Sequence, residues 1–185
     1  MSNQNRLTVI AGPTAVGKGT VIRKILETHP EIKLSVSATT RAPRPGEIDG
    51  ISYHFLSMSE FDAKIASGQM LEYAIVHGTN KYGTLREPVE SALAAGQKLI
   101  LEIDIQGARQ VKKAMPEANL IFIAPPSWDE LVRRLTGRGT ETTEEQERRL
   151  ATARQELAAK TEFDHVVIND EVAECAHQVV NLIQA

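Results

Sequence analysis

The chain has 185 residues, 42% of them hydrophobic, and a formal net charge of −3. That length buries one substantial core with room for small inserts, and the charge carries no electrostatic footprint for non-specific nucleic-acid binding. A single cysteine, Cys175, excludes an internal disulfide framework and suits a reducing compartment; its place in a helical pattern points to packing rather than nucleophilic chemistry. No apolar run approaches membrane-spanning length and no basic-then-apolar leader opens the sequence, so a cytoplasmic protein without a membrane or nucleic-acid partner is expected.

Leu7-Thr8-Val9-Ile10-Ala11 reads as a short buried strand, and Val21, Ile22, Ile25 and Leu26 recur downstream at helical spacing. Between them lies Gly12-Pro13-Thr14-Ala15-Val16-Gly17-Lys18-Gly19-Thr20. Strand, glycine-rich turn and helix form the context in which Gly-x-x-x-x-Gly-Lys binds phosphate, an ordinary turn with a surface lysine being the bland alternative. The backbone amides close around phosphate oxygens, the helix start adds favourable partial charge, and Lys18 supplies a full positive charge. Gly19 stands where a serine or threonine hydroxyl usually meets magnesium, which leaves Thr20 to reach the metal through water.

Lys33 to Thr39 alternates like a strand. Residues 40–84, with strand-like pieces at Tyr53-His54-Phe55-Leu56 and Leu71 to Val76, read as an insert beside the main sheet. Pro88 and Gly96 bracket a helix. Lys98 to Asp104, Leu120-Ile121-Phe122-Ile123 and Val166-Val167-Ile168 are buried-strand candidates, the last leading into a helix from about Glu171. Ser127 with Glu130, and Thr143 with Gln146, have capping-box spacing before two further helices. Residues 136–142 have the polar, glycine-containing composition of a flap. Strands alternating with helices predict a mainly parallel sheet covered by helices.

Ser37-Ala38-Thr39-Thr40-Arg41-Ala42-Pro43-Arg44-Pro45-Gly46-Glu47 puts two arginines and three hydroxyls on a proline-stiffened segment. Alone it suits either a solvated basic loop or a clamp on a phosphate dianion; beside a phosphate loop, the second reading gains. Arg133, Arg134, Arg138, Arg148 and Arg149 flank the flap, where arginines on a closing lid would neutralise a transferring phosphoryl group. Arg133 and Arg148 are the expected surface pairs of nearby glutamates. No His/Cys spacing resembles a zinc site, His29, His54 and His77 read as structural or surface residues, and Trp128 as packing.

The combination of the Gly-Pro-x-x-x-Val-Gly-Lys-Gly-Thr loop, Ser37-x-Thr39-Thr40-Arg41-x-Pro43-Arg44-x-Gly46-Glu47, Asp49-Gly50-x-x-Tyr53-x-Phe55, Asp104-x-Gln106-Gly107 and Arg138-Gly139-Thr140-Glu141-Thr142 resembles guanylate kinase from about residue 7 onward. The resemblance implies an α/β fold: a P-loop kinase core with a parallel five-stranded sheet at about 1–36, 96–126 and 151–185. It adds a small α+β GMP-binding insert at about 37–95 and a lid at about 127–150. It implies transfer of the γ-phosphoryl of ATP to GMP, and also dGMP, with Mg2+. The loop residues Gly12 to Thr20 and Asn169 would bind ATP, and Lys18, Arg134, Arg138 and Arg149 would stabilise the moving charge. Ser37, Arg41, Arg44, Tyr53 and Tyr82 would hold the GMP phosphate. Glu72 and Thr84 would read guanine with help from Glu102 and Asp104, Asp104 having organisation of magnesium or of Lys18 as its other reading. Carboxylates accept from guanine N1–H and N2–H, whereas adenine offers a lone pair at N1.

The chain departs from the family pattern in places. Ala15 replaces a usual glycine, so the turn is expected to avoid a conformation only glycine tolerates. The stretch between Gly78 and Tyr82 is one residue longer than usual, Lys81 replaces a tyrosine, and Glu102 replaces an aspartate. Two other functions fit parts of the pattern. A ribose-phosphate kinase on the same scaffold would not need Glu72, and a catalytically silent peptide-binding relative would not retain Gly17, Lys18, Arg138 and Arg149.

Overall fold

The structure, a computed structural model, describes residues 6–76, 79–137 and 142–185. Its main sheet is parallel throughout: β1 (Leu7–Ala11) sits centrally, with β7 (Lys98–Glu102) and β8 (Asn119–Ala124) on either side, and β2 (Ile32–Leu34) and β9 (His165–Ile168) at the edges. This is the expected five-stranded sheet with flanking helices. Alternation along β1 explains why it is central. Ile10 packs into one apolar cluster with Ile22, Ile25, Ile121, Val179 and Ile183, and Val9 packs into another with Leu101, Val111, Leu120 and Phe122. The first cluster seats α1 (Lys18–Thr28) and α7 (Val172–Gln184); the second seats α3 (Arg86–Ala94) and α4 (Ile105–Ala114). Each large aliphatic side chain taken out of water contributes about 1.5–3 kcal/mol, so a strand buried on both faces anchors the sheet.

A second, mixed sheet runs β4 (His54–Phe55), β3 (Ala38–Thr39), β6 (Asn80–Leu85), β5 (Met70–Val76), with α2 (Met58–Ala66) packing Phe61 against Ala38 and Met70. The expected continuous strand from Lys33 to Thr39 is therefore two strands in two sheets. Ser35 N still donates to Ile100 O in the main sheet, but Ser37 O already accepts from His54 N in the small one. Alternation is local and does not say which partner strand each half will find.

Two helix starts also differ from expectation. The helix after the flap, α6 (Thr143–Ala158), is capped by Thr142 with Glu145, one residue before the expected pair. The Glu145 carboxylate accepts from Thr142 N at 2.8 Å, a stronger contact than the amide of Gln146 offers. At α5 (Trp128–Thr136) Ser127 accepts from Glu130 N as expected, but the Glu130 carboxylate turns to Arg133 and Arg134 rather than closing the box.

Candidate functional site

The phosphate loop follows β1 at the carboxyl end of the parallel sheet, where α/β folds open their crevices. Gly12 lies so close to β8 that a Cβ there would sit 2.3 Å from Ile123 O. Gly17 caps α1 with φ 96°, a left-handed conformation that glycine adopts without strain. Ala15 does not avoid that region: it takes φ 65°, correcting the expectation that the turn would change shape to suit alanine. Left-handed backbone costs an L-residue roughly 1–2 kcal/mol, so this turn is strained at Ala15.

Lys18 Nζ donates to Gly12 O at 2.6 Å and Pro13 O at 3.1 Å, folding its ammonium back onto the loop. Burial lowers its pKa, and the carboxylates of Glu102, Glu156 and Asp104 oppose that shift. Asn169 is buried, and its Nδ2 donates to Val16 O at 2.7 Å. Arg134 donates to the carbonyls of Val16 and Asn169 at 3.3 Å and pairs with Glu130 at 2.7 Å. Asn169 and Arg134 thus prop the loop and do not line the cavity it opens on.

Across that cavity, of about 520 Å3, stands the small sheet. The register of β5 with β6 places Glu72 opposite Thr84, and Thr84 Oγ1 donates to Glu72 Oε1 at 2.7 Å. Both are buried. Burial raises the Glu72 carboxyl to about 7, with the Thr84 hydrogen bond opposing the shift and the Asp104 charge adding to it. Glu102, at the end of β7, is raised in the same direction by burial, with Lys18 pulling it back. Asp104 caps α4, accepting from Gly107 N at 2.7 Å. Tyr82 pairs with Thr39 and Ala74 and faces the cavity. Lys81, in the usual tyrosine's place, turns to Asp62.

Tyr53 and Ser37 reach the same cavity. Tyr53 and Tyr82 meet edge to face at 6.1 Å, and burial raises the Tyr53 phenol above its ordinary value. Arg41 lies over the Tyr53 ring at 5.4 Å and pairs with Glu47 at 2.8 Å. The other Glu47 oxygen accepts from Arg44 N at 2.7 Å, so one carboxylate organises both arginine positions. The Glu47 hydrogen bond holds Arg41 firmly in its charged form.

Nine expected residues thus line one cavity: Gly12, Thr14 and Lys18 from the loop, Ser37, Tyr53, Glu72 and Tyr82 from the small sheet, and Glu102 and Asp104 from the strand-to-helix turn. Thr84 stands behind Glu72 and Arg41 beside Tyr53, whereas Arg44 is exposed and is held through its backbone N by Glu47. Arg149 is half-buried on α6; Arg138 and His77 lie outside the described residues. Arg133 pairs with Glu130 at 2.6 Å rather than with the glutamates beyond the flap. Trp128 packs on the first core cluster beneath Arg154.

One residue went unnoticed in the sequence. Glu156, far along α6, lines the cavity, and its Oε2 accepts from Thr14 N at 3.1 Å. Its carboxyl is raised by burial, opposed by that bond and by Lys18. Only its spacing from Arg149, two helical turns on one face, could have singled it out.

A parallel α/β sheet carrying a phosphate loop, with a second sheet presenting Tyr53, Tyr82 and Glu72 across one cavity, defines a nucleotide kinase of the P-loop class. The profile of the family described as "Guanylate kinase" matches residues 4–185. The guanylate kinase of Leifsonia xyli subsp. xyli is 60% identical over 180 residues, covering 97% of this chain and 71% of that relative. That of Nocardia farcinica is 58% identical over 182 residues, covering 98% and 94%. The crystal structure of guanylate kinase from Anaplasma phagocytophilum superposes with a TM-score of 0.80 at 32% identity, covering 100% of this chain and 87% of that one. The chain belongs to the guanylate kinase family.

Proposed function

We propose that the cavity brings two nucleotides together, ATP by its phosphates at the loop Gly12–Thr20 and GMP against the small sheet. The activity is the guanylate kinase reaction, ATP + GMP to ADP + GDP. The observation that carries the assignment of sides is the buried Glu72–Thr84 pair facing a phosphate loop across one cavity. Glu72 accepts from guanine N–H groups, Thr84 fixes the carboxylate, and Glu102 and Asp104 border the base. Ser37, Arg41, Arg44, Tyr53 and Tyr82 hold the GMP phosphate, with Glu47 keeping the two arginine positions in register. Because recognition is assigned to base and phosphate, dGMP is included as an acceptor.

An oxygen of the GMP phosphate attacks the γ-phosphorus in line; the monoester is largely ionised near neutral pH, so no general base and no covalent enzyme intermediate are required. Lys18 exchanges the Gly12 and Pro13 carbonyls for phosphate oxygens, and a phosphate using Thr14 N displaces the Glu156 carboxylate. Arg138 and Arg149 neutralise charge on the transferring group. Arg134, bonded to the carbonyl of Val16 in the loop and to that of Asn169 behind it, acts here as a positioning residue, which narrows the role expected of it. Asn169 likewise supports the loop that receives ATP.

Mg2+ keeps several waters and relies mainly on substrate phosphates, so it asks little of the protein. The donor set fits that demand: Thr20 is exposed at the helix start, Glu102 and Asp104 line the cavity, and a Cβ at Gly19 would have only Glu102 Oε1, at 3.8 Å, as a neighbour. Thr20, through water, would help hold the ion, which would supply charge neutralisation between the phosphate groups, with Asp104 having that role as its alternative to bordering the base. We assign residues 37–95 as the GMP-binding insert, 127–150 as the lid and the remainder as the core, with a cytoplasmic location. Among the described residues no helix is long and apolar enough to cross a membrane. The test is an ADP-release assay with ATP and magnesium against GMP, dGMP, AMP, UMP and CMP. GMP and dGMP should lead by orders of magnitude; equal rates for all acceptors would remove the guanine assignment.

A further inference from the structure

The carboxylate of Glu72 is seated on a helix as well as beside a hydroxyl. A Cβ at Gly107, the third residue of α4, would lie 2.5 Å from Glu72 Oε2 and 3.1 Å from its carboxyl carbon. It would also stand 3.3 Å from the Asp104 oxygen that caps the helix. Gly107 has no left-handed backbone to justify it, and glycine is a poor helix former, so the bare position serves space rather than conformation.

One turn further along the same face, Gln110 reaches the neighbour of Glu72. Its Oε1 accepts from Tyr73 N at 3.2 Å and its Nε2 donates to Tyr73 O at 2.8 Å. Those are the outward backbone groups of β5, the edge strand of the small sheet. A side-chain amide that satisfies both groups extends the edge as another strand would, and it ties the insert to the core one residue from Glu72.

We propose that Gly107 and Gln110 are positioning residues for acceptor recognition: Gly107 leaves the volume that the Glu72 carboxylate occupies, and Gln110 holds the β5 backbone at the height that delivers it there. This rests on Glu72 reading guanine. With a methyl group at 107 the carboxylate must swing away from Thr84 or out of the plane it offers the base. Without the Gln110 amide the strand keeps its pairing to β6 and the packing of Leu71 against α4, but loses the two hydrogen bonds that fix its height on the helix.

The experiment is steady-state kinetics with GMP and ATP varied separately, on the full chain, with thermal melts alongside. Gly107→Ala is expected to raise KM for GMP at least tenfold while leaving KM for ATP within twofold. Gln110→Ala should raise KM for GMP several-fold in the same selective way. Gln110→Glu should fail to rescue it, because a carboxylate cannot donate to Tyr73 O. Shortening the acid relieves the clash, so Gly107→Ala combined with Glu72→Asp should bind GMP no worse than Glu72→Asp alone. Additive losses in that pair, or a KM for GMP unchanged in Gly107→Ala and Gln110→Ala, overturn the proposal. If Gly107→Ala fails to fold, the Gln110 variants decide it. Glu72→Gln separates the two layers: no change in KM for GMP there refutes the guanine assignment itself, whereas a raised KM beside unaffected Gly107 and Gln110 variants refutes only this inference.

Discussion

Glu72→Gln should strengthen the fold and weaken the substrate, and the two effects should separate with pH. The residue is 3% exposed, and burial raises its carboxyl from 4.5 to about 7. Between those values the folded protein binds more protons than the unfolded chain, so stability falls as pH rises through the interval. The cost is absent below about pH 4.5 and complete above about pH 7. For a single site with this shift the cost is about 3 kcal/mol at pH 8 and about 1 kcal/mol at pH 5. Glutamine keeps the length and an acceptor for Thr84 Oγ1 but does not titrate; any cost of burying its NH2 is the same at both pH values and cancels in the comparison. The stability difference between variant and parent should therefore grow by about 2 kcal/mol from pH 5 to pH 8, or roughly 4–8 °C in Tm for a chain of this size. In the same variant KM for GMP at pH 8 should rise about 10- to 100-fold, since a hydrogen bond to a charged acceptor contributes about 1.5–3 kcal/mol. Paired melts across pH and kinetics with GMP and ATP give both readings. A variant-minus-parent difference that is flat with pH, or an unchanged KM for GMP, would refute the reasoning.

Ala15→Gly relieves the left-handed strain and should raise stability by about 0.5–1 kcal/mol after the added freedom of the unfolded chain is deducted; an equal or lower Tm would mean the turn is not strained there. Glu156→Gln leaves an acceptor for Thr14 N but removes the charge that ATP phosphates meet. A bond weaker by about 1 kcal/mol lowers KM for ATP roughly fivefold, and a raised KM for ATP would assign Glu156 a role in holding the nucleotide. Arg44→Ala should raise KM for GMP while KM for ATP stays within twofold; the reverse pattern would mean that the two nucleotide sites have been exchanged.

Glu156 and Thr14 show where reading along the chain stops. They meet although 142 residues separate them, and nothing around either residue announces the contact. The same holds for Gln110 and Tyr73, 37 residues apart, and for Arg134, whose place beside other arginines suggested a mobile charge but whose bonds run to the carbonyls of Val16 and Asn169. Ala15 shows the opposite limit, a local rule overruled: in a loop that lies against β8 at Gly12 and is bonded by Asn169 at Val16, alanine takes a glycine conformation.

Short-range chemistry settled a good deal in advance. Apolar runs marked β1, β7, β8 and β9, although β9, expected to be buried, exposes Val166 and Ile168 at the sheet's edge. Hydroxyls marked the start of α5, and the glycine-lysine loop marked the turn between β1 and α1, because each signal depends on neighbours within a few residues. The Ser37–Glu47 and Asp104–Gly107 patterns likewise pointed to the guanylate kinase family. Only the folded chain decided that Lys33–Thr39 divides between two sheets, that Glu72 is buried deeply enough to hold its proton near neutrality, and that Gly107 makes room for it. Those outcomes depend on which surfaces exclude water and which groups are pressed together, and burial is a property of the whole packed molecule rather than of any stretch of it.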